Sequence, residues 1–99
     1  MDGTLEFLNE LEDIIDNRIH QTDESASYVS KLAGSGLDRV LKKIGEEAGE
    51  VIIAAKNNHR DELLNESADL LFHLLILLRK KGTSLSDVVE ILNHRHHAR

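Results

Sequence analysis

The run Gly36-Leu-Asp-Arg-Val-Leu-Lys-Lys-Ile-Gly-Glu-Glu-Ala-Gly-Glu-Val-Ile-Ile-Ala-Ala55 decides how the rest of the chain is read. Its apolar residues recur every three or four positions, which predicts a helix from about Leu37 to Asn57. At about a hundred degrees per residue, Leu37, Val40, Leu41, Ile44, Ala48, Val51, Ile52 and Ala55 form one apolar face. Glu47 lies at the edge of that face, Glu50 and Lys43 lie just beyond it, and Glu46 points nearly opposite. Gly45 and Gly49 each cost a helix interior about 1 kcal/mol relative to alanine, so their presence predicts a close approach by something else.

A second acidic pair, Glu66-Ser-Ala-Asp69, follows across Asn57-Asn-His-Arg-Asp61. A turn that short predicts an antiparallel return of the chain beside the first helix. From Leu63 to Leu78 the returning helix is apolar round most of its circumference. Its exception is a stripe in which Glu62, Glu66, Asp69 and His73 fall within about a sixth of a turn of one another. Glu66 and Asp69 stack roughly 4.5 Å apart along the axis, and antiparallel packing brings them level with Glu47 and Glu50. Like charges at these spacings repel unless a positive group sits between them. Oxygen-only ligands point to a hard divalent cation, magnesium or manganese, and magnesium habitually shares its ligands with phosphate oxygens. Phosphate-ester or anhydride chemistry is the class these residues favour.

Composition narrows the alternatives. The chain has 99 residues, no proline, no cysteine and 3% aromatics, with a formal charge of −6. Leu, Ile, Val and Ala supply nearly all the apolar mass, which favours an all-α domain over sheet. The acidic balance argues against a nucleic-acid face. The lack of cysteine removes thiolate metal sites and suits a reducing cytoplasm. Residues 1 to 20 alternate acidic and apolar types with no signal-peptide pattern, and the apolar stretch Leu70 to Leu78 is too short to span a bilayer. No repeat or domain boundary is visible, so residues 1–99 read as a single domain. A chain this short buries a modest core, and a helix apolar nearly all round needs cover on several sides. Both features favour a helical bundle of four to five helices completed by homodimerisation.

The remaining segments fit that frame. Thr4 is a candidate cap for a first helix carrying Leu8, Leu11, Ile15 and Ile19. Gln21 to Ser27 reads as a loop. A short helix, Tyr28 to Ala33, is capped from Ser25 or Ser27 and stopped by Gly34. Ser84-Leu-Ser-Asp87 reads as a capping box for a last helix, Leu85 to Leu92, with Asn93 to Arg99 a frayed end.

The pattern Glu-Glu-x-x-Glu at Glu46, Glu47 and Glu50, followed by Glu-x-x-Asp at Glu66 and Asp69, resembles the MazG-like all-α nucleotide pyrophosphatases. Ser27-Tyr28 and the Asp69-Leu-Leu-Phe-His73 run make the nearer resemblance the phosphoribosyl-ATP pyrophosphatases of histidine biosynthesis. The matching stretches (SYVSKL, GLDRVLKKIGEEAGEVIIAA, ADLLFHLL and GTSLSDV) span most of the chain from Ser27 onward. Gly49 departs from the family at a variable position. The resemblance implies magnesium-dependent hydrolysis of the α,β phosphoanhydride of phosphoribosyl-ATP to phosphoribosyl-AMP and pyrophosphate.

In that reading Glu47, Glu50, Glu66 and Asp69 are the metal carboxylates, and Glu46, Glu47 and Glu50 the catalytic candidates. Lys43, Arg39 and Tyr28 are the candidate substrate contacts. Each has a plainer alternative. Glu46 fits a solvated helix face, Tyr28 a packing anchor with its hydroxyl tied down, and His73 a hydrogen-bonded core residue supporting the acids. Two other functions remain open from sequence: a house-cleaning nucleoside-triphosphate pyrophosphatase, and a helical dimerisation module whose acids are surface decoration.

Overall fold

A computed structural model describes residues 3–21, 23 and 26–97, and among these there are five helices and no strand. They are α1 (Phe7–Ile19), α2 (Tyr28–Gly34), α3 (Leu37–Lys56), α4 (Arg60–Lys80) and α5 (Leu85–His97). The all-α expectation holds.

Local chemistry fixes the ends. The chain enters α1 through tight turns, with Glu6 N–H bonding Gly3 O and Phe7 N–H bonding Thr4 O. The helix proper therefore starts at Phe7, three residues past the expected Thr4 cap. Of the two candidate caps for α2, Ser25 lies outside the described residues. Ser27 serves as the cap: its hydroxyl accepts from Ser30 N–H at 3.0 Å, and Ser30 Oγ accepts from Ser27 N–H at 2.9 Å. Loss of such a cap costs about 1 kcal/mol. The α2–α3 connection turns at Gly36, whose φ of 99° lies in the left-handed region that favours glycine. Asn58, at φ 56°, makes the equivalent turn between α3 and α4, a conformation asparagine tolerates better than most residues. His59 Nδ1 then accepts from Glu62 N–H and caps α4.

The core is built from four helices: Ile15 of α1, Val29 and Leu32 of α2, Val40 of α3, and Leu75 and Ile76 of α4. The α3–α4 hairpin is its most extensive interface. Here the expected face of α3 needs rotation. Val40, Glu47 and Ala54 are its buried residues, whereas Leu41, Ile52 and Ala55 are exposed. Within one chain α2 and α4 cover only the side carrying Val40, Ile44 and Glu47. The close approach expected at Gly45 and Gly49 is also absent, because a Cβ at either would meet nothing within 4 Å.

The α5 capping box forms as expected. Asp87 Oδ2 accepts from Ser84 N–H at 3.1 Å, and Ser84 Oγ accepts from Asp87 N–H at 3.2 Å. The Thr83 hydroxyl, then Ser84, hold the Asp87 carboxyl below its usual range. Buried Glu12 joins α1 to this end, its Oε2 accepting from Leu85 N–H at 2.8 Å. Where the sequence suggested a frayed end from Asn93, α5 continues to His97, with His94, Arg95, His96 and His97 in its last turn, and Ala98 and Arg99 lie outside the described residues. Cationic side chains there complement the helix dipole. No residue of α5 is buried.

Candidate active site

The α3–α4 hairpin carries the acids. Glu47, one turn C-terminal to Lys43 on α3, points inward and is only 9% exposed. A carboxylate this deep needs a hydrogen-bonded partner, and His73 of α4 supplies it, with Nδ1 2.7 Å from Glu47 Oε1. The same Nδ1 lies 2.9 Å from the backbone carbonyl of Asp69. A carbonyl only accepts, so Nδ1 carries the proton and donates to both oxygens. Nε2 hydrogen-bonds the Tyr28 hydroxyl at 2.7 Å. One imidazole thus ties together α2, α3 and α4. Phe72 and Tyr28 hold its plane, each meeting it edge-on at centroid distances of 5.4 and 5.7 Å.

Along the hairpin toward the turn, Glu50 and Glu66 face each other across a cleft also lined by Ile53, Glu62 and Asn65. A hydrogen bond to Glu50, then partial burial and the nearby charges of Glu50, Asp69 and Glu47, push Glu66 up from 4.5 to about 7. Among the described residues, no Lys, Arg or His lies within ion-pair distance of Glu50, Glu66 or Asp69. No basic side chain among the described residues thus pairs with these three acids, a situation a hard divalent cation relieves. As the rotamers stand, no three acidic or histidine groups among the described residues converge to enclose an ion. Glu47 is turned to His73, and Glu50 and Glu66 to each other. Oxygen-only donors of this kind are the type that a hard divalent cation takes.

The structure separates Glu46 from this group. It faces a groove with Arg39, Lys42 and Lys43, as its place on the helical wheel suggested. The three expected substrate contacts do meet: Tyr28, Arg39 and Lys43 line one pocket with Lys31, Leu32 and Ser35. Lys31 and Ser35 were missed by the sequence reading. Their signal is spacing, since they fall three and seven residues after Tyr28 and share its face of α2. Tyr28 is both tied down and available, with its hydroxyl on His73 and 49% of the residue exposed.

Comparison with known proteins places this geometry in context. The family model described as phosphoribosyl-ATP pyrophosphohydrolase matches residues 8–96. The chain is similar to the phosphoribosyl-ATP pyrophosphatase of Leptospira biflexa, at 52% identity over 93% of this chain and 99% of that protein. It is likewise 52% identical to the phosphoribosyl-ATP pyrophosphatase of Listeria welshimeri, over 90% of this chain and 84% of the relative. Against the histidine biosynthesis bifunctional protein HisIE of Bacillus subtilis the identity is 52% over 91% of this chain, which spans 43% of that longer protein.

Proposed function

The chain belongs to the phosphoribosyl-ATP pyrophosphohydrolase family, and we propose that it hydrolyses the α,β phosphoanhydride of phosphoribosyl-ATP on the acidic face of its α3–α4 hairpin. The products are phosphoribosyl-AMP and pyrophosphate. The observation that carries this reading is that Glu50, Asp69 and Glu47 all lie near enough to Glu66, on two packed helices, to raise its pKa, with no Lys or Arg among the described residues within ion-pair distance of any of them.

In this proposal the four carboxylates hold magnesium, with manganese as a substitute. A bound divalent cation supplies polarisation of the anhydride and acidification of a water. The chain's own residues do the rest. His73 binds Glu47 through Oε1, and Tyr28 binds His73. Of the carboxylates considered for proton transfer, Glu47 is committed to His73 and Glu46 faces the cationic groove. That leaves Glu50, which faces Glu66 across the cleft, to receive the proton of the attacking water. Lys43 and Arg39 meet phosphate oxygens, and Tyr28 lies beside them. The test is pyrophosphate release from phosphoribosyl-ATP against a panel of nucleoside triphosphates. A preference for phosphoribosyl-ATP is expected, and faster release from the triphosphates would overturn the reading in favour of a house-cleaning enzyme.

A pH dependence follows from Glu66. In the metal-free fold it keeps its proton up to about pH 7, whereas in the unfolded chain it ionises near 4.5. Between these values the folded state binds more protons than the unfolded one, so the stability due to Glu66 falls as pH rises through the window. Melting curves in chelator from pH 4.5 to 7.5 should therefore slope more steeply downward for wild type than for Glu66→Gln. Magnesium, which displaces that proton, should raise the wild-type melting temperature more at pH 7.5 than at pH 5.5. Parallel curves for the two proteins would refute this assignment.

The proposal includes a homodimer. Ile52 and Ile53 of α3 are 69% and 59% exposed, and Val89, Ile91 and Leu92 of α5 are about half exposed or more. A helix of 13 residues with none of them buried is marginal alone, since isolated helices shorter than about 12 to 15 residues rarely persist in water. A second copy covering these faces explains both. Light scattering should give twice the chain mass, and Ile52→Asp with Ile91→Asp should halve it. A wild-type monomer at micromolar concentration, with α5 intact, would exclude the dimer. Among the described residues no helix is long and apolar enough to cross a membrane. The cysteine-free composition and a nucleotide substrate support a cytoplasmic setting.

A further inference from the structure

We propose that the pocket between α2 and the first turns of α3, walled by Tyr28, Lys31, Leu32, Ser35, Arg39 and Lys43, seats the phosphate monoester on the substrate's ribosyl arm, and so distinguishes phosphoribosyl-ATP from a plain nucleoside triphosphate. This inference rests on the reading given under Proposed function.

Charge carries the first step. The chain has 18 acidic residues against 12 Lys and Arg, so its cations have carboxylates in excess to choose from. Yet among the described residues no carboxylate lies within 4 Å of Lys31, Arg39 or Lys43. Arg39 and Lys43 are moreover an i,i+4 pair of like charge on α3, a spacing that repels unless an anion lies between them. Lys31 closes the ring from α2. The pocket lies N-terminal to the acidic cleft along α3: Arg39 and Lys43 line the one and Glu50 the other, with Tyr28, His73 and Glu47 linking them.

Shape and surface carry the second step. Phosphoribosyl-ATP has two anionic parts, a triphosphate and a monoester. The triphosphate belongs at the acids, where a bound metal offsets its charge. The monoester has no such partner and needs protein cations of its own. The pocket is small, about 120 Å³. Part of its wall is carbon, from the half-exposed Tyr28 ring and buried Leu32. That wall suits the carbon face of a furanose, whereas pyrophosphate offers it nothing apolar. A nucleoside triphosphate lacks the monoester and leaves the pocket empty.

Tyr28 is the single tyrosine and the chain has no tryptophan, so intrinsic emission reports this pocket directly. The experiment titrates the full chain with ribose 5-phosphate and, separately, with inorganic pyrophosphate. It then measures kcat and KM for phosphoribosyl-ATP and for ATP in wild type and Lys31→Met, an exposed position whose change leaves the core intact. Ribose 5-phosphate should shift Tyr28 emission saturably, about tenfold more weakly in Lys31→Met. The variant should raise KM for phosphoribosyl-ATP about tenfold, with kcat nearly unchanged and ATP turnover unaltered. Pyrophosphate binding there in preference to ribose 5-phosphate, or an equal loss for both substrates, would overturn the proposal. If wild type turns over phosphoribosyl-ATP but Lys31→Met leaves the preference intact, this inference falls and the proposed function stands. If wild type prefers triphosphates, both fall.

Discussion

Glu66→Gln and Asp69→Asn should each lower pyrophosphate release from phosphoribosyl-ATP roughly a thousandfold or more, the scale on which loss of a metal-assisted contact acts, while far-UV circular dichroism stays unchanged. Both replacements keep side-chain volume and remove a charge from a cleft that the chain leaves uncompensated. That makes stability and activity move in different directions. In chelator above pH 7, wild-type Glu66 ionises beside Glu50, Asp69 and Glu47. The amide introduced by Glu66→Gln removes one like charge there and donates a hydrogen bond to Glu50. The metal-free variant should therefore melt no lower than wild type, and added magnesium should raise its melting temperature less than that of wild type. A structural role for Glu66 predicts the opposite, a lower melting temperature with part of the activity kept. Wild-type rates in both variants would remove the acids from the reaction.

How much of this was legible in the sequence depends on which interactions are local. The five helices follow from apolar spacing, from a chain without proline and from caps such as Ser27 and Ser84, all of which act within one turn. The facing of Glu50 and Glu66 was also legible, because a turn as short as that around Asn58 leaves α4 no course but back along α3. Rotation about the helix axis was not. The wheel gives Leu41 and Ile52 the same claim to the core as Val40. Only the positions of α2 and α4, set by contacts far apart in sequence, decide that Val40 is buried while Ile52 is 69% exposed. The same limit hid the bridge through His73. Its two partners lie 26 and 45 residues away, and a lone histidine among leucines carries no sign of which nitrogen meets which oxygen. Lys31 was passed over because a lysine on a short helix is ordinarily solvated, and its meaning appears only when Arg39 and Lys43 are set opposite it.

That bridge supports the second large effect. His73→Leu fills the space with carbon but leaves Glu47, 9% exposed, facing an apolar neighbour without a donor. Removing one member of a buried pair in this way costs about 3 kcal/mol or more. A domain of this size is stable by only about 5 to 15 kcal/mol, so the melting temperature should fall by roughly 10 °C or more. Tyr28→Phe removes only the hydroxyl at the outer end of the chain of hydrogen bonds. It should cost about 1 kcal/mol, the usual net worth of one bond, and leave Glu47 in place. The deciding variant is the double replacement Glu47→Leu with His73→Leu. If His73 exists to satisfy the carboxylate, the pair of leucines recovers most of the lost stability, because apolar groups of similar volume replace a buried polar pair at little cost. Activity stays absent, since the carboxylate the site needs has gone. Additive losses in the double variant would mean that His73 and Glu47 act on the fold independently, and the positioning role assigned to the histidine would then be wrong.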